Sequence, residues 1–225
     1  MPKQVRQDRI KKLILLKHML VETDAIVLQT RKYSDSSKIV EIFSKDFGKI
    51  SVLAKGAYSI KSKFAGCLEP LSIIHISFYK KTGTTLYTLK SSELIISLNQ
   101  IHKTSNTLLC GLVVAEFILY TQNECPDSAE LYKKFAVFLY KINEHSERAN
   151  GIAIQFLVFL SGNMGFSVLI NQDHYSQKIN KLILENDLQK EISSSTFIEF
   201  INYFADFFSN HLEKKIYIKS LAFIG

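Results

Sequence analysis

Between residues 23 and 92, short runs of β-branched and aliphatic residues alternate with basic, turn-forming connections. Runs of this length and composition are typical of β-strands. The pattern predicts five strands, at residues 25–28, 39–43, 50–54, 71–79 and 85–89. Asp46, Phe47 and Gly48 predict a tight turn between strands two and three, and Gly83 predicts another before strand five. The connection after strand three is longer, and no hydrophobic period explains it.

From Glu93 onward the apolar residues follow the helical period of 3.6. The sequence predicts helices over residues 107–120, about 126–142, 152–164, 177–189 and 195–212. In the first of these, Leu108, Leu112, Ala115 and Leu119 share the predicted buried face, and Leu109, Val113 and Glu116 turn away from it. The third is apolar on nearly every face, so it is predicted to be the central helix of a bundle.

Capping residues mark several helix ends. Pro126, Asp127 and Ser128 predict an N-terminal cap for the second helix, and Gly165 predicts a left-handed end to the third. Ser195 is the predicted N-cap of the last helix. The predicted buried stripe of that helix is Phe197, Ile201, Phe204 and Phe208.

Charge is unevenly distributed along the 225 residues, although the formal total is only +7. Up to Ser92 there are seventeen Lys and Arg against seven Asp and Glu, and from Glu93 onward eleven against fourteen. A basic front half suggests a polyanionic partner for the first domain only. The composition, 47% hydrophobic and 22% charged, is that of a soluble, folded protein.

The residues do not predict an enzyme, a cofactor or a metal site. The sequence has no G-x-x-x-x-G-K-[ST], G-x-S-x-G or H-E-x-x-H motif. Residues 162–165 match the G-x-x-G of KH domains, but the apolar run before them favours a helix end. The six histidines are scattered singly, and the three cysteines form no C-x-x-C pair. Free cysteines predict a reducing cytoplasm, and the apolar stretches are too short to span a membrane.

Three ordered motifs carry a family resemblance. The segments are AIVLQTRKYSDSSKIVEIFS, DFGKISVLAKGA and KSKFAGCLEP, within residues 20–92. They resemble the N-terminal domain of the RecO family of bacterial recombination mediators. With the element pattern, this predicts a five-stranded OB-fold (19–92) and an all-α domain (93–225). The fold class is therefore α+β. Strand periodicity alone leaves an SH3-like barrel open as an alternative. Residues 1–18 precede the resemblance and are interpreted as a flexible N-terminal extension, with a short amphipathic helix or translation from an upstream start codon as the alternatives.

The resemblance implies a protein of the bacterial cytoplasm, associated with the nucleoid, that binds and anneals single-stranded DNA. The implied partners are RecR and the acidic C-terminal tail of the single-strand DNA-binding protein. Many members carry a four-cysteine zinc site after the central helix. The corresponding segment here, SVLINQDHYSQ, contains no cysteine, so no zinc is expected.

Cations interleaved with aromatic residues are the candidate DNA site. Phosphates need cations, and aromatic faces stack on any base, which suits a sequence-tolerant site. The candidates flank strands one to three and are Arg31, Lys32, Tyr33, Lys38, Lys55, Lys61, Lys63 and Phe64, with Tyr58 among them. The candidates for docking the acidic tail are Lys133, Lys134, Lys214 and Lys215. The alternatives are an OB-fold module for RNA or another polyanion, and a structural scaffold without annealing activity.

Overall fold

A computed structural model describes residues 19–59, 62–170, 173–184 and 191–223. The predicted N-terminal extension, residues 1–18, lies outside these ranges. The chain folds into two compact units. The first runs up to Ile96 and includes Glu124–Ser128, and the second comprises residues 97–123 and those from 129 onward.

The first unit contains the five predicted strands in a closed barrel. The strands are β1 Met19–Lys32, β2 Lys38–Ser44, β3 Gly48–Ala54, β4 Ile73–Lys80 and β5 Leu86–Ile96. Their order around the barrel is β1-β2-β3-β5-β4. The β3–β5 pair is parallel and the other pairs are antiparallel. This is the five-stranded Greek-key arrangement of the OB-fold. The predicted fold is confirmed, and the SH3-like alternative is not the one that forms.

Alternating side chains fill the barrel, as the period of two requires. Val40 and Ile42 of β2 face Ile50 and Val52 of β3 in a cluster that is almost completely buried. Residues of the β3–β4 connection, among them Leu68, complete this core. Burying each such aliphatic side chain contributes about 1.5–3 kcal/mol, so this alternation is a principal stabiliser of the barrel.

β1 and β5 are much longer than the sequence predicts, whereas the limits of β2, β3 and β4 differ from prediction by one or two residues. β1 begins at Met19, because its first half pairs with β4 and its second half with β2. β5 continues to Ile96, so the helical period predicted to begin at Glu93 begins later. Both extensions depend on a distant partner strand, which local periodicity does not reveal.

The segment Glu124–Ser128 is attached to the barrel by polar and aromatic contacts. The Cys125 N–H donates to the Phe47 carbonyl at 2.9 Å. The Glu124 carboxylate accepts the Tyr87 hydroxyl at 3.0 Å and pairs with Lys80 at 2.8 Å. The Lys80 ammonium also lies 4.5 Å from the Phe47 ring centroid. Burial, followed by the bond to Glu124, raises the pKa of Tyr87 to about 12.

The second unit has five α-helices among its described residues. They are α1 Ser105–Thr121, α2 Ala129–Glu144, α3 Ala149–Asn163, α4 His174–Leu184 and α5 Ser194–Leu212. Short 3₁₀ turns occur at Ser146–Arg148, Val168–Ile170 and Lys219–Phe223. Within the described ranges, no helix is long and apolar enough to cross a membrane.

The end of α3 confirms the predicted left-handed cap. Gly165 has φ = +88°, a conformation that glycine adopts without steric cost. Its N–H donates to the Gly162 carbonyl, and the Phe166 N–H donates to the Ser161 carbonyl. These two bonds form a Schellman motif, so the G-x-x-G match is a helix end.

The limits of the other helices differ from prediction by a few residues. α2 begins at Ala129, after the predicted start, and the Ser128 hydroxyl donates back to the Cys125 carbonyl. α4 begins at His174, and its predicted end lies outside the described residues. The N-cap of α5 is Ser193 and not Ser195, because the Ser193 hydroxyl accepts the Thr196 N–H at 3.2 Å. The predicted stripe of α5 is confirmed as buried: Phe197, Ile201, Phe204 and Phe208.

The predicted buried face of α1 is confirmed at Ala115 and wrong at its three leucines. Leu108, Leu112 and Leu119 are only half-buried, whereas Val113 is completely buried. The reason is that α1 packs against α2, α3, α5 and the C-terminal 3₁₀ turn, so it is covered from several sides. On a helix that is apolar nearly all round, periodicity does not identify the covered face.

Glu116 of α1 joins this helix to the C-terminal 3₁₀ turn. Its carboxylate oxygens lie 3.2 and 3.4 Å from the Ser220 backbone nitrogen, which donates to them. Burial raises the pKa of Glu116 above its usual 4.5, so the charge is less favourable in the folded than in the unfolded chain. The stability linked to this group is complete below the unfolded pKa and is lost as pH rises through the folded pKa.

Two substitutions at Glu116 are therefore expected to differ. Glu116→Gln keeps an acceptor and removes the charge, so it should match or exceed wild-type stability at neutral pH. Glu116→Ala removes the acceptor and should cost about 1.5 kcal/mol. Urea denaturation at acidic and neutral pH checks both, and the advantage of glutamine should shrink at the acidic pH. Equal losses in both variants would contradict this account.

Candidate nucleic-acid interface

Strand register brings the two basic connections to one end of the barrel. Lys32 at the end of β1 pairs with Lys38 at the start of β2, and Lys38 pairs with Ala54 at the end of β3. Lys55 follows directly. Arg31 precedes Lys32 and is exposed. Cations that are far apart in sequence therefore lie at the same level of three adjacent strands.

The β3–β4 connection folds against the β1–β2 connection at this end. The Tyr58 N–H donates to the Ser36 carbonyl at 3.2 Å, and the Thr30 hydroxyl donates to the Leu68 carbonyl at 2.6 Å. The Lys38 ammonium lies 5.0 Å from the Tyr58 ring centroid. Tyr33 is 59% exposed and Tyr58 48% exposed. Two tyrosines are thus available for stacking beside the cations.

A further cation at this end of the barrel, Lys90, is not among the residues predicted from the sequence. Ser91 pairs with Ser77 and Leu89 pairs with Phe78, so Lys90 is the extra residue of a β-bulge in β5. The parallel pairing of Leu53 with Thr88 places this bulge alongside the end of β3. Lys63 donates its ammonium proton to the Lys90 carbonyl. A basic residue immediately after a predicted strand was the available signal.

We call this surface the basic end, and its members are Arg31, Lys32, Lys38, Lys55, Lys63 and Lys90. Among the described residues, two carboxylates pair with its lysines. Asp35 lies 3.2 Å from Lys32, and Glu69 lies 3.4 Å from Lys38. Six cations against two carboxylates leave an excess of positive charge, which attracts phosphate.

One of the predicted DNA-binding residues, Phe64, is not part of this surface. Phe64 is only 3% exposed, because its ring completes the barrel core, so it cannot stack on a base. The Lys63 ammonium covers that ring at 5.1 Å from its centroid. Lys61 lies outside the described residues, and nothing about its position follows.

The adjacent outer face of the barrel is polar and aliphatic. The register places Gln29, Glu41, Ser51 and Leu86 in one row across β1, β2, β3 and β5. The Ser51 hydroxyl donates to the Glu41 carboxylate at 2.6 Å. None of these four side chains is aromatic, so in the described part of this site the exposed rings are those of Tyr33 and Tyr58 in the connections.

Three of the four candidate lysines of the helical unit lie beside aromatic rings. Lys134 of α2 lies 5.6 Å from the ring centroid of Phe159. Lys214 lies 5.3 Å from the centroid of Tyr120. Lys215 lies 4.8 Å from that of Tyr217, which is 57% exposed. Lys133 is exposed on α2.

Among the described histidines, His75 is the one most closely surrounded by acids. Its Nδ1 lies 2.8 Å from the Asp24 carboxylate, and its Nε2 lies 4.0 Å from Glu22. The hydrogen bond with Asp24 is the main cause that raises the pKa of His75. Within the described ranges, no three His, Cys, Asp or Glu side chains are grouped so that they could hold a metal ion.

Comparison with known proteins shows which proteins this chain is similar to. Residues 19–98 match the family model described as "Recombination protein O N terminal". The chain is 29% identical over 133 residues to the DNA repair protein RecO of Salinibacter ruber, covering 59% of this chain and 51% of the relative. It is 25% identical over 175 residues to that of Chlorobium limicola, covering 78% and 67%. It is 36% identical over 108 residues to that of Rhodopirellula baltica, covering 48% and 40%. The aligned region thus spans between two-fifths and two-thirds of these relatives.

Proposed function

Because residues 19–98 match the RecO N-terminal family model and the chain is similar to RecO proteins, we propose that it acts in DNA repair and recombination by binding single-stranded DNA at the basic end of its barrel. The observation that supports this proposal is the convergence of cations from separate connections through strand register. Such a convergence suits a phosphate backbone, which presents evenly spaced negative charges.

The site favours binding without base specificity. Phosphate contacts carry no sequence information, and the exposed rings of Tyr33 and Tyr58 can stack on any base. Binding should therefore weaken steeply with salt, with a slope of about −0.7 for each phosphate neutralised on a single strand.

The finer activity that we propose is annealing of complementary strands and assistance to recombinase loading together with RecR. The protein acts in this proposal by binding energy alone, without a catalytic step. Screening of two phosphate backbones by one cationic surface lowers their repulsion, so complementary bases can meet.

Binding to single-stranded DNA, duplex DNA and RNA at matched salt tests the proposal. The proposal expects the tightest binding to single-stranded DNA. Equal binding to RNA favours the alternative of a general OB-fold polyanion module. Binding to none of the three would leave the structural scaffold and reject the proposed function.

We further propose that the helical unit docks the acidic tail of the single-strand DNA-binding protein through its four candidate lysines. Lysines beside aromatic rings offer positive charge and apolar area together. A tail that carries both acidic and apolar side chains needs both to bind. A tail peptide should bind saturably, and Lys133, Lys134, Lys214 and Lys215 changed together to glutamine should weaken it about tenfold or more. Fluorescence anisotropy measures this, with a charge-scrambled peptide as control. Equal affinities of the variant and wild type would move the tail site elsewhere.

A further inference from the structure

Glu69 is the carboxylate that pairs with Lys38 at the basic end. Its carboxylate lies 3.4 Å from the Lys38 ammonium, which also lies over the Tyr58 ring. A carboxylate and a phosphate present similar oxygen acceptors to a lysine. The carboxylate is therefore an anion supplied by the chain itself within the basic end.

The backbone on either side of Glu69 is held in place. Leu68 is 2% exposed in the barrel core, and its carbonyl accepts the Thr30 hydroxyl at 2.6 Å. The Glu69 carbonyl accepts the Ser72 N–H at 3.2 Å. Because the backbone on both sides of this side chain is fixed to the barrel, the carboxylate is kept near Lys38 at little further loss of entropy.

We propose that Glu69 is an internal competitor for the DNA phosphate at Lys38, and that it limits affinity so that a bound strand can leave. This inference rests on the proposed function. When DNA binds, Lys38 exchanges Glu69 for a phosphate, so part of the Coulomb energy of the new contact is offset by the contact that is lost. A strand that must depart after annealing needs such a limit.

Asp35 offers a weaker version of the same arrangement. It lies 3.2 Å from Lys32, but its side chain is fully exposed and that of Lys32 is 63% exposed. The Lys38 side chain is 16% exposed and that of Glu69 is 62% exposed, so this pair is less screened by water than the pair of Lys32 with Asp35. Glu69 should therefore compete more strongly than Asp35.

The test measures single-stranded DNA affinity as a function of salt in charge-neutralised variants. Glu69→Gln should raise affinity about three- to fivefold at low salt, and Asp35→Asn by less. The control is Glu22→Gln, which removes the same charge ten residues before Lys32 on β1, about 33 Å along the strand. The control should leave affinity within experimental error. Glu69→Gln should also slow strand dissociation in stopped flow.

A double-mutant cycle with Lys38→Gln shows whether Glu69 acts through Lys38. If it does, Glu69→Gln has no effect on affinity in the Lys38→Gln background. A gain that persists there would mean a general field effect and would overturn the inference. Unchanged affinity of the single variant would overturn it too, and so would reduced affinity, which would show that Glu69 positions Lys38 for binding. Failure of wild type to bind DNA would instead reject the proposed function, so the two failures are distinguishable.

Discussion

Changing Arg31, Lys32, Lys55 and Lys63 together to glutamate is expected to lower affinity for single-stranded DNA about a hundredfold or more at low salt. All four residues are exposed at the basic end, so the reversed charges repel phosphate without disturbing the core. If each contacts one phosphate, the salt slope should also fall by about 2.8. Lys38 is left unchanged, because its side chain is largely buried and pairs with Glu69.

The matched control reverses four cations of the helical unit: Lys133, Lys134, Lys214 and Lys215. It changes the net charge by the same amount. The comparison therefore separates the effect of a local binding site on affinity from the effect of net charge. Affinity measured by anisotropy from about 50 to 200 mM salt, with circular dichroism to verify folding, distinguishes the two. Equal losses would indicate that only net charge matters. Full affinity in the barrel variant would place the DNA site elsewhere on the protein.

The barrel could be predicted from sequence because each strand carries its own alternation. Val40 and Ile42, or Ile50 and Val52, face inward whichever strand is the neighbour. The extent of β1 could not be read in the same way. Its exposed residues Glu22 and Met19 belong to the strand only because β4 pairs with them. Local patterns record which face is buried, whereas strand length depends on distant partners.

Five of the six cations of the basic end are among the residues predicted from the sequence, and Lys90 is not. Lys32, Lys38 and Lys55 were selected as neighbours of strand ends, and register explains why they meet. Phe64 has basic surroundings in sequence and resembles a stacking residue, yet the open end of a barrel needs an apolar plug. Lys90 was missed because it is the extra residue of a β-bulge. The bulge arises from the pairing of β5 with β4, which the local sequence does not reveal.

Annealing gives the largest functional contrast among the proposed activities. Wild-type protein is expected to accelerate pairing of two complementary oligonucleotides about tenfold or more, because a cationic surface raises the local concentration of both strands. The acceleration should need neither nucleotide nor metal, since binding alone supplies it. Fluorescence transfer between labelled strands measures the rate. The variant in which the four cations of the basic end are reversed should pair the strands no faster than they pair without protein.

The small number of exposed rings at the site explains why we expect the protein to accelerate strand pairing and not to prevent it by covering the bases. Only Tyr33 and Tyr58 offer exposed rings among the described residues of the basic end, and the neighbouring row from Gln29 to Leu86 has no aromatic side chain. A strand held by its phosphates, with few bases stacked, keeps its Watson–Crick edges free for a complement.

Coating both strands with single-strand DNA-binding protein should not stop the reaction if the helical unit recruits that coat. The variant in which the four candidate lysines of the helical unit are changed should fail only on coated strands. Slower pairing with wild-type protein on bare and on coated DNA would reject annealing and leave a passive single-strand binder.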